Sequence, residues 1–284
     1  MAADQLMTGE YVYCVVQAAR RPPLTRVPAG IPGSARPDVR PVAPSLWIVA
    51  AAVPLDVYGP DALEPRLRDL DWVSQVALAH EAVVEHCARA RGSTVIPMKL
   101  FTLFSSSERA AADVLARRRP IERTMRRIAG AEEWGIRIFR RPIAAADAAR
   151  PARPASGADF LRARKQARDA AADARAAAAG AANRTFASLR RLARDARVRE
   201  LRPEPGTNPP LLDAAFLVPS SSRTRFHGEV RRQAREAAAA GADLTLTGPW
   251  PPYNFCLLYT SDAADDLTLT GPWPPYNFVG GDPA

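Results

Sequence analysis

The chain has 284 residues and a formal net charge of +9, a length that suits one large or two medium domains. Its three cysteines, Cys14, Cys87 and Cys256, lack C-x-x-C spacing, which argues against a disulfide framework or a zinc site and predicts a reducing, cytoplasmic environment. The N-terminus shows no secretory signal, and the longest apolar run, residues 46–53, is too short for a membrane span.

Arginine carries most of the positive charge, because Lys99 and Lys165 are the only lysines among 39 basic residues. A basic chain can bind nucleic acid through its phosphates. Here, however, the arginines are spread along predicted helices and mixed with Asp and Glu, as on solvated faces. GC-rich codons also enrich Ala, Arg and Pro together, so no specific nucleic-acid partner is predicted.

The first strands belong to an N-terminal α+β domain, which we predict over residues 10–130. A β-branched and aromatic run at residues 10–16 predicts a strand. The apolar run at residues 46–53 predicts a central strand that is buried on both faces. Residues 20–44, rich in Pro, Gly and Arg, predict a long disordered loop between them.

Helices dominate the rest of this domain. Apolar residues at steps of three and four predict a helix over residues 72–91, with Gly92 ending it. Pro97 confines a short strand at residues 94–97 to a sheet edge or a bulge. Further helices are predicted at residues 107–116 and 120–129.

The second domain, residues 131–255, begins with an alternating strand at residues 133–139, whose Arg137 opposes an apolar face. A low-complexity loop is predicted at residues 142–154. The S-x-x-D capping box of Ser156 and Asp159 then predicts the start of a long Ala/Arg-rich helix, which extends to about residue 197. Its apolar side is thin, so we expect its middle part to extend into solvent or to pack against a partner. Gly180 is a candidate interruption.

Three strands and one helix complete the second domain. A short strand is predicted at residues 198–202, a stronger one at 211–218, a helix from residue 222 to Gly241, and a last strand at 244–247. The order β-α-β-β-α-β is that of a ferredoxin-like sheet with helices on one face. The fold class is therefore α+β with two domains.

A peculiar segment follows the last predicted strand, where Gly248-Pro249 is expected to stop the ladder because proline offers no N–H. Five of its residues are candidates for partner contact or for a structural latch at the sheet edge, and the sequence does not separate these roles. They are Trp250, Pro251, Pro252, Tyr253 and Phe255.

The segment 243–255 recurs without substitution as residues 266–278. Only one copy can occupy one position in a sheet, and solenoid repeats normally carry a whole supersecondary unit each. We predict that the first copy docks, and that the tail, residues 256–284, is a recent duplication, a sequence-assembly fault or a loosely held extension.

The segment His80-Glu-Ala-Val-Val-Glu-His-Cys87 offers several ligand types, but its histidines are not spaced for one helix face. We interpret it as a helix surface rich in Glu and His, with Cys87 as a small core residue. No nucleophile elbow, phosphate loop or dinucleotide motif occurs, so we predict no catalytic residue, metal or cofactor and no enzyme.

An RNA-recognition module is the rival for the same strand order. Such modules stack bases on aromatic residues of the central strands. The predicted strand at residues 211–218 has one aromatic residue, no arginine and no glycine. A basic RNA-binding module of ferredoxin-like fold is therefore the alternative and not the leading hypothesis.

Six segments, in the same order along the chain, resemble the gas vesicle GvpL/GvpF family. They are Tyr11-Val-Tyr-Cys-Val-Val16, Ala79-His-Glu-Ala-Val-Val-Glu85, Thr94-Val-Ile-Pro-Met-Lys-Leu-Phe-Thr-Leu-Phe104, Ala131-Glu-Glu-Trp-Gly-Ile-Arg-Ile138, Ala215-Phe-Leu-Val218 and Leu246-Thr-Gly-Pro-Trp-Pro-Pro-Tyr-Asn-Phe255. The departures are the Pro-rich residues 20–44, Leu100-Phe101 where a glycine is commoner, and the duplicated tail.

This resemblance implies an accessory protein of gas vesicle formation with an N-terminal α+β unit and a ferredoxin-like C-terminal unit. It implies binding to the small hydrophobic shell protein and to other gas vesicle accessory proteins, help with shell assembly or nucleation, and a location in the cytoplasm or at the vesicle. It brings no catalytic residue and no cofactor.

Overall fold

The computed structural model describes residues 7–141, 156–199 and 208–256. They form two compact units, one built on residues up to Arg127 and the other on Ile128–Phe255. Each unit has one antiparallel sheet with helices packed on it, so the predicted α+β class is confirmed. Among the described residues, the helices are too short or too polar to cross a lipid bilayer.

The sheet of the first unit is built around its first strand. The strands are β1 (Thr8–Gln17), β2 (Asp38–Ala43), β3 (Leu46–Pro54), β4 (Thr94–Pro97) and β5 (Leu103–Phe104). Their order is β2-β3-β1-β4, and β5 also pairs with β1. The apolar strand β3 is interior and β4, which ends in Pro97, is at an edge, as both sequence patterns predict.

The helices of this unit are α1 (Leu55–Tyr58), α2 (Pro60–Arg66), α3 (Leu70–Ala88), α4 (Ser107–Ala116) and α5 (Arg118–Ile128). The Asp69 carboxylate caps α3 by accepting from the Trp72 backbone N–H at 3.1 Å. Gly92 follows the end of α3 with φ of +76°, a conformation that other residues adopt at a cost. The predicted helix over 72–91 therefore exists, and it begins two residues earlier and ends at Ala88.

The Pro-rich segment is ordered, so the prediction of a disordered loop over residues 20–44 was wrong. Its last part is the edge strand β2, where Pro41 is tolerated because an edge strand needs hydrogen bonds on one side only. Val27 and Ile31 are buried. The Tyr13 hydroxyl accepts from the Ile31 N–H at 3.0 Å, and these contacts to the sheet offset the low apolar content that suggested disorder.

The second unit follows the predicted order β-α-β-β-α-β. Its elements are β6 (Ala131–Arg140), α6 (Gly157–Arg190), β7 (Asp195–Val198), β8 (Leu212–Pro219), α7 (Arg223–Ala239) and β9 (Ala242–Trp250), with 3₁₀ turns at Ser220–Ser222 and Tyr253–Phe255. The strand order in space is β7-β8-β6-β9, and each pair is antiparallel. The Ser156 cap on α6 is present, its hydroxyl accepting from the Asp159 N–H.

Two boundaries differ from the sequence prediction. α6 ends at Arg190 and not near residue 197, and the short strand β7 follows it at Asp195–Val198 and not at 198–202. Gly180 does not interrupt α6, because the neighbouring alanines favour the helix strongly. The loop predicted over residues 142–154 lies outside the described residues.

One face of this sheet forms the core against α6 and α7. On β6 the core residues are Trp134, Ile136 and Ile138, while Arg137 points to the other face, as the alternation predicts. Phe216 of β8 contacts Phe186 and Phe226 of the two helices, with ring centroids 5.6 and 5.8 Å away. The buried part of α6 begins at Ala178, and residues 157–177, which we call the α6 arm, extend past this core.

The first copy of the repeated segment forms the edge strand β9, as predicted, and the second copy, residues 266–278, lies outside the described residues. The Gly248-Pro249 pair was expected to end the ladder, and it does not. Trp250 still pairs with Glu133, past an irregularity between Glu133 and Gly135. β9 tolerates Pro249 because no other strand of the described residues pairs with its outer side.

Candidate partner-binding surface

The five candidate residues after β9 divide by burial. Trp250 is 42% exposed, and it is preceded by three exposed residues, Thr247, Gly248 and Pro249. Pro251 and Pro252 are buried, Tyr253 is half-buried and Phe255 is fully buried. The structure therefore brings a single large exposed aromatic side chain next to a buried anchor.

The buried residues of the segment 251–255 are attached to the sheet through Glu133, which is only 3% exposed. The Glu133 carboxylate accepts from the backbone N–H of Asn254 at 2.9 Å and from the Asn254 side-chain amide. Hydrogen bonds to an ionised acceptor are stronger than neutral ones. The Arg197 guanidinium lies 5.4 Å from the centre of the Phe255 ring, a cation–π distance. We call residues 251–255 with these contacts the latch.

The latch lies on the face of the sheet opposite α6 and α7. Strand register shows this, because Glu133 alternates with the core residues Trp134 and Ile136, and Arg197 pairs with Ala215. We call this the helix-free face of the second unit. The chain after β9 thus turns back over the sheet instead of leaving it.

Charged residues occupy the next row of the helix-free face. Asp213 is 7% exposed, and its carboxylate accepts from Arg137 Nε at 3.0 Å and from Arg199 Nε at 2.7 Å. Two arginines on one carboxylate leave a net positive group, in which Arg137 lies on β6, Asp213 on β8 and Arg199 directly after β7. Gly135, between this group and Glu133, permits the close approach of Thr247 from β9, because a Cβ there would lie 2.5 Å from the Thr247 hydroxyl.

These positions bear directly on RNA recognition. A base-stacking platform needs aromatic residues on the central strands. In the described chain the helix-free face of β6 and β8 carries one aromatic residue, the half-buried Phe139 near the end of β6, and not the two or three that such a platform uses. The other side chains of its central part are Glu133, Gly135, Arg137, Asp213, Ala215 and Leu217.

The His80–Cys87 segment is not the helix surface that the sequence suggested. His80 is 3% exposed, its Nδ1 lies 2.8 Å from the Tyr11 hydroxyl, and burial lowers its pKa to about 4. The prediction failed at His80 because a tyrosine of β1 supplies the polar partner that a buried imidazole needs. Cys87 is a buried core residue, as predicted. No cluster of three or more His, Cys, Asp or Glu side chains suited to a metal occurs among the described residues.

Sequence reasoning missed the residues that receive the latch. Glu133 precedes the core residue Trp134 in β6, Asn254 lies inside the peculiar segment, and Arg197 is the second-last residue of β7. The signal at Glu133 is visible in retrospect, because an acidic residue beside Trp134 at the start of a buried strand requires a partner.

Comparison with known proteins gives one consistent result. The family model for the gas vesicle synthesis protein GvpL/GvpF matches residues 9–257. Gas vesicle protein L of Streptomyces sp. (strain CB03234) is 31% identical over 232 residues, covering 76% of this chain and 82% of that protein. Gas vesicle protein L2 of Halobacterium salinarum is 28% identical, covering 89% of this chain and 93% of that protein.

Solved structures agree at the level of the fold. The crystal structure of GvpF from Anabaena sp. PCC7120 matches with a TM-score of 0.62 at 17% identity, covering 88% of this chain and 96% of that chain. GvpF from Microcystis aeruginosa matches with a TM-score of 0.59 at 16% identity, covering 88% and 99%.

Proposed function

We infer the function from one premise: the chain belongs to the GvpL/GvpF family of gas vesicle synthesis proteins. We propose that it is an accessory protein that binds the hydrophobic shell protein, together with other accessory proteins, and assists or nucleates shell assembly in the cytoplasm. The family match over residues 9–257 carries this proposal. A shell protein with exposed apolar surface needs a binding partner before it polymerises, since such surfaces otherwise aggregate.

Within this proposal, Trp250 contacts the partner and residues 251–255 act as the latch. Tryptophan is the residue type most enriched among the dominant contacts of protein interfaces. Trp250 is exposed, while the prolines that follow it and Phe255 are buried. A side chain that is held in place before binding loses little conformational entropy when the partner arrives.

We also infer that the second unit is ferredoxin-like and that two domains, residues 10–130 and 131–255, make up the family region. The chain order β-α-β-β-α-β, the sheet order β9-β6-β8-β7 and the antiparallel pairing support the first inference. The division into compact units near Arg127 supports the second.

Co-purification with the shell protein tests the proposal. We expect full-length protein to capture the shell protein, and Trp250→Ala to reduce capture at least tenfold while lowering the melting temperature by no more than a few degrees. Leu78→Ala is the matched control, because Leu78 is also a large exposed apolar residue, at 60%, but belongs to α3. In cells, deletion of the gene is expected to abolish vesicles while shell protein is still synthesised.

Absence of capture by the wild-type protein would contradict the proposed function. Equal loss of capture in Trp250→Ala and Leu78→Ala would leave the function standing and reject the assignment of Trp250.

A further inference from the structure

The α6 arm is a helix surface of 21 residues that the rest of the described chain leaves uncovered. Residues 157–177 contain no buried side chain, whereas buried residues recur from Ala178 to the end of the helix. Phe160 and Leu161 near its start are 51% and 64% exposed. Large apolar side chains exposed together indicate an interaction surface more often than scattered ones do.

The arm continues the stripe by which α6 packs on its own sheet. The buried residues Ala178, Ala182, Thr185 and Leu189 are separated by steps of four, three and four. The same 3-4-4 period runs backwards through the arm over Ala174, Ala171, Ala167, Ala163 and Phe160. A repeat of about 11 residues keeps side chains on nearly the same face of a straight helix. The face that is covered by the sheet in one half of α6 is therefore uncovered in the other half.

Charge is distributed unequally beside this stripe. Arg164, Arg168 and Arg175 lie on one flank, about 60–100° from the centre of the stripe at about 100° per residue. All three are exposed, and none makes an ion pair in the described chain. The other flank carries Asp159, whose carboxylate pairs with Arg162 at 3.0 Å, and Asp173. The arm thus has an apolar stripe bordered by a row of three unpaired arginines.

We propose that the α6 arm docks an amphipathic helix of another protein, which lays large aliphatic side chains on the alanine stripe and carboxylates against the arginine row. Alanines allow two helices to approach closely, so that bulky side chains of the partner fill the space beside them. Complementary charge selects the partner and its direction.

A second copy of this chain does not fit the same surface. Two arms packed antiparallel through their stripes would place the arginine row of one arm beside that of the other, which is repulsive. Two parallel arms would collide with the sheet that already covers the stripe from Ala178 onward. The occupant is therefore a different chain with an acidic flank.

A synthetic probe tests the surface directly and does not depend on the proposed function. The probe is a labelled peptide of about 22 residues, two 11-residue repeats, with leucines at 3-4-4 spacing and glutamates along one flank. The control peptide has lysines in place of those glutamates. By fluorescence anisotropy with the full chain, we expect the glutamate peptide to bind at least tenfold more tightly.

Variants on two faces of the arm provide the matched comparison. Ala167→Glu with Ala174→Glu places charges on the stripe and should weaken binding of the glutamate peptide at least tenfold. Ala172→Glu with Ala176→Glu places them about 140–180° away, on the outer face, and should leave binding unchanged. All four sites are exposed and glutamate favours helix, so both variants should keep the wild-type melting temperature.

Deletion of residues 163–173 removes one full repeat and keeps the stripe in register, so it should abolish peptide binding without unfolding the second unit. The proposal is wrong if neither peptide binds below about 1 mM, if both bind equally, or if the outer-face variant loses as much affinity as the stripe variant. It is also wrong if light scattering shows a dimer that the stripe variant dissociates, since the occupant would then be a second copy.

Discussion

Phe101 is a non-glycine residue in a backbone conformation that favours glycine. Its φ is +62°, a left-handed conformation that costs a non-glycine residue about 1–2 kcal/mol. The side chain offsets this cost. It is 5% exposed, its ring stacks on Trp72 with centroids 5.8 Å apart, and its N–H donates to the Tyr11 hydroxyl at 3.3 Å.

We therefore predict that the glycine variant is more stable than the alanine variant at Phe101 and less stable than it at Phe104. Phe101→Ala should lower the free energy of unfolding by roughly 3–5 kcal/mol, and Phe101→Gly by about 1 kcal/mol less, because glycine adopts this φ without strain. Phe104 in β5 is the control, since it is buried without a positive φ, and there the glycine variant should be the less stable. Urea unfolding measures both pairs. The same order at both sites would show that the strain at Phe101 is negligible.

His80 should make the first unit sensitive to mild acid. Its pKa is about 4 in the folded chain and 6.5 without burial. At pH values between these two, the imidazole of the unfolded chain binds a proton that the folded chain does not bind. The free energy of unfolding therefore has its full value above pH 6.5 and falls as the pH drops to about 4. The total loss is roughly 3 kcal/mol.

Urea unfolding between pH 7 and pH 4 measures this dependence, and His80→Gln should flatten it. His86→Gln is the control, because His86 lies on the same helix without being buried and its loss should keep the wild-type slope. An unchanged slope in His80→Gln would assign the acid sensitivity to other groups.

At the scale of elements, the latch packs on the helix-free face of the second unit. Phe255→Ala should destabilise that unit by roughly 3–5 kcal/mol, because a fully buried aromatic ring is lost. Trp250→Ala should cost about 1 kcal/mol or less, since Trp250 is 42% exposed. Hydrogen exchange locates the effect. Faster exchange is expected for the amides of β6 and β9 and not for those of β1 and β3, and uniform acceleration would contradict this assignment.

The elements also show how far the sequence could be interpreted. Alternation at β6 and β8 and the apolar run at β3 predicted strands correctly, because each pattern reflects the burial of that element alone. The order of residues 20–44 was missed because it depends on the hydrogen bond between Ile31 and Tyr13 and on the pairing of β2 with β3, which local composition does not encode. The sequence identified five candidate residues after β9. Which of them are exposed and which are buried depends on Glu133, which lies more than a hundred residues earlier in the chain.

At the scale of the whole molecule, the duplicated tail should be dispensable, because β9 occupies the single position at that edge of the sheet. Deleting residues 257–284 should leave the melting temperature and shell-protein capture unchanged. Deleting residues 243–265 is the matched control. It joins Ala242 to Asp266, restores the same sequence through the second copy, and should give a protein with wild-type unfolding. A loss of stability in the first deletion alone would assign a structural role to the tail.

The pairing of β6 with β9 also has a consequence during synthesis on the ribosome. The described strands of the first unit end at Phe104 and its described helices end at Ile128, so these elements can fold while translation continues. The second unit cannot complete its sheet in the same way. Its strand β6 is translated first, and the partner strand β9 and Phe255 are translated last among the elements of this unit. Until then, β6 presents an unpaired edge and apolar side chains to solvent. Nascent chains of this protein therefore have a long interval in which chaperones, or a partner that is being translated nearby, can reach the second unit.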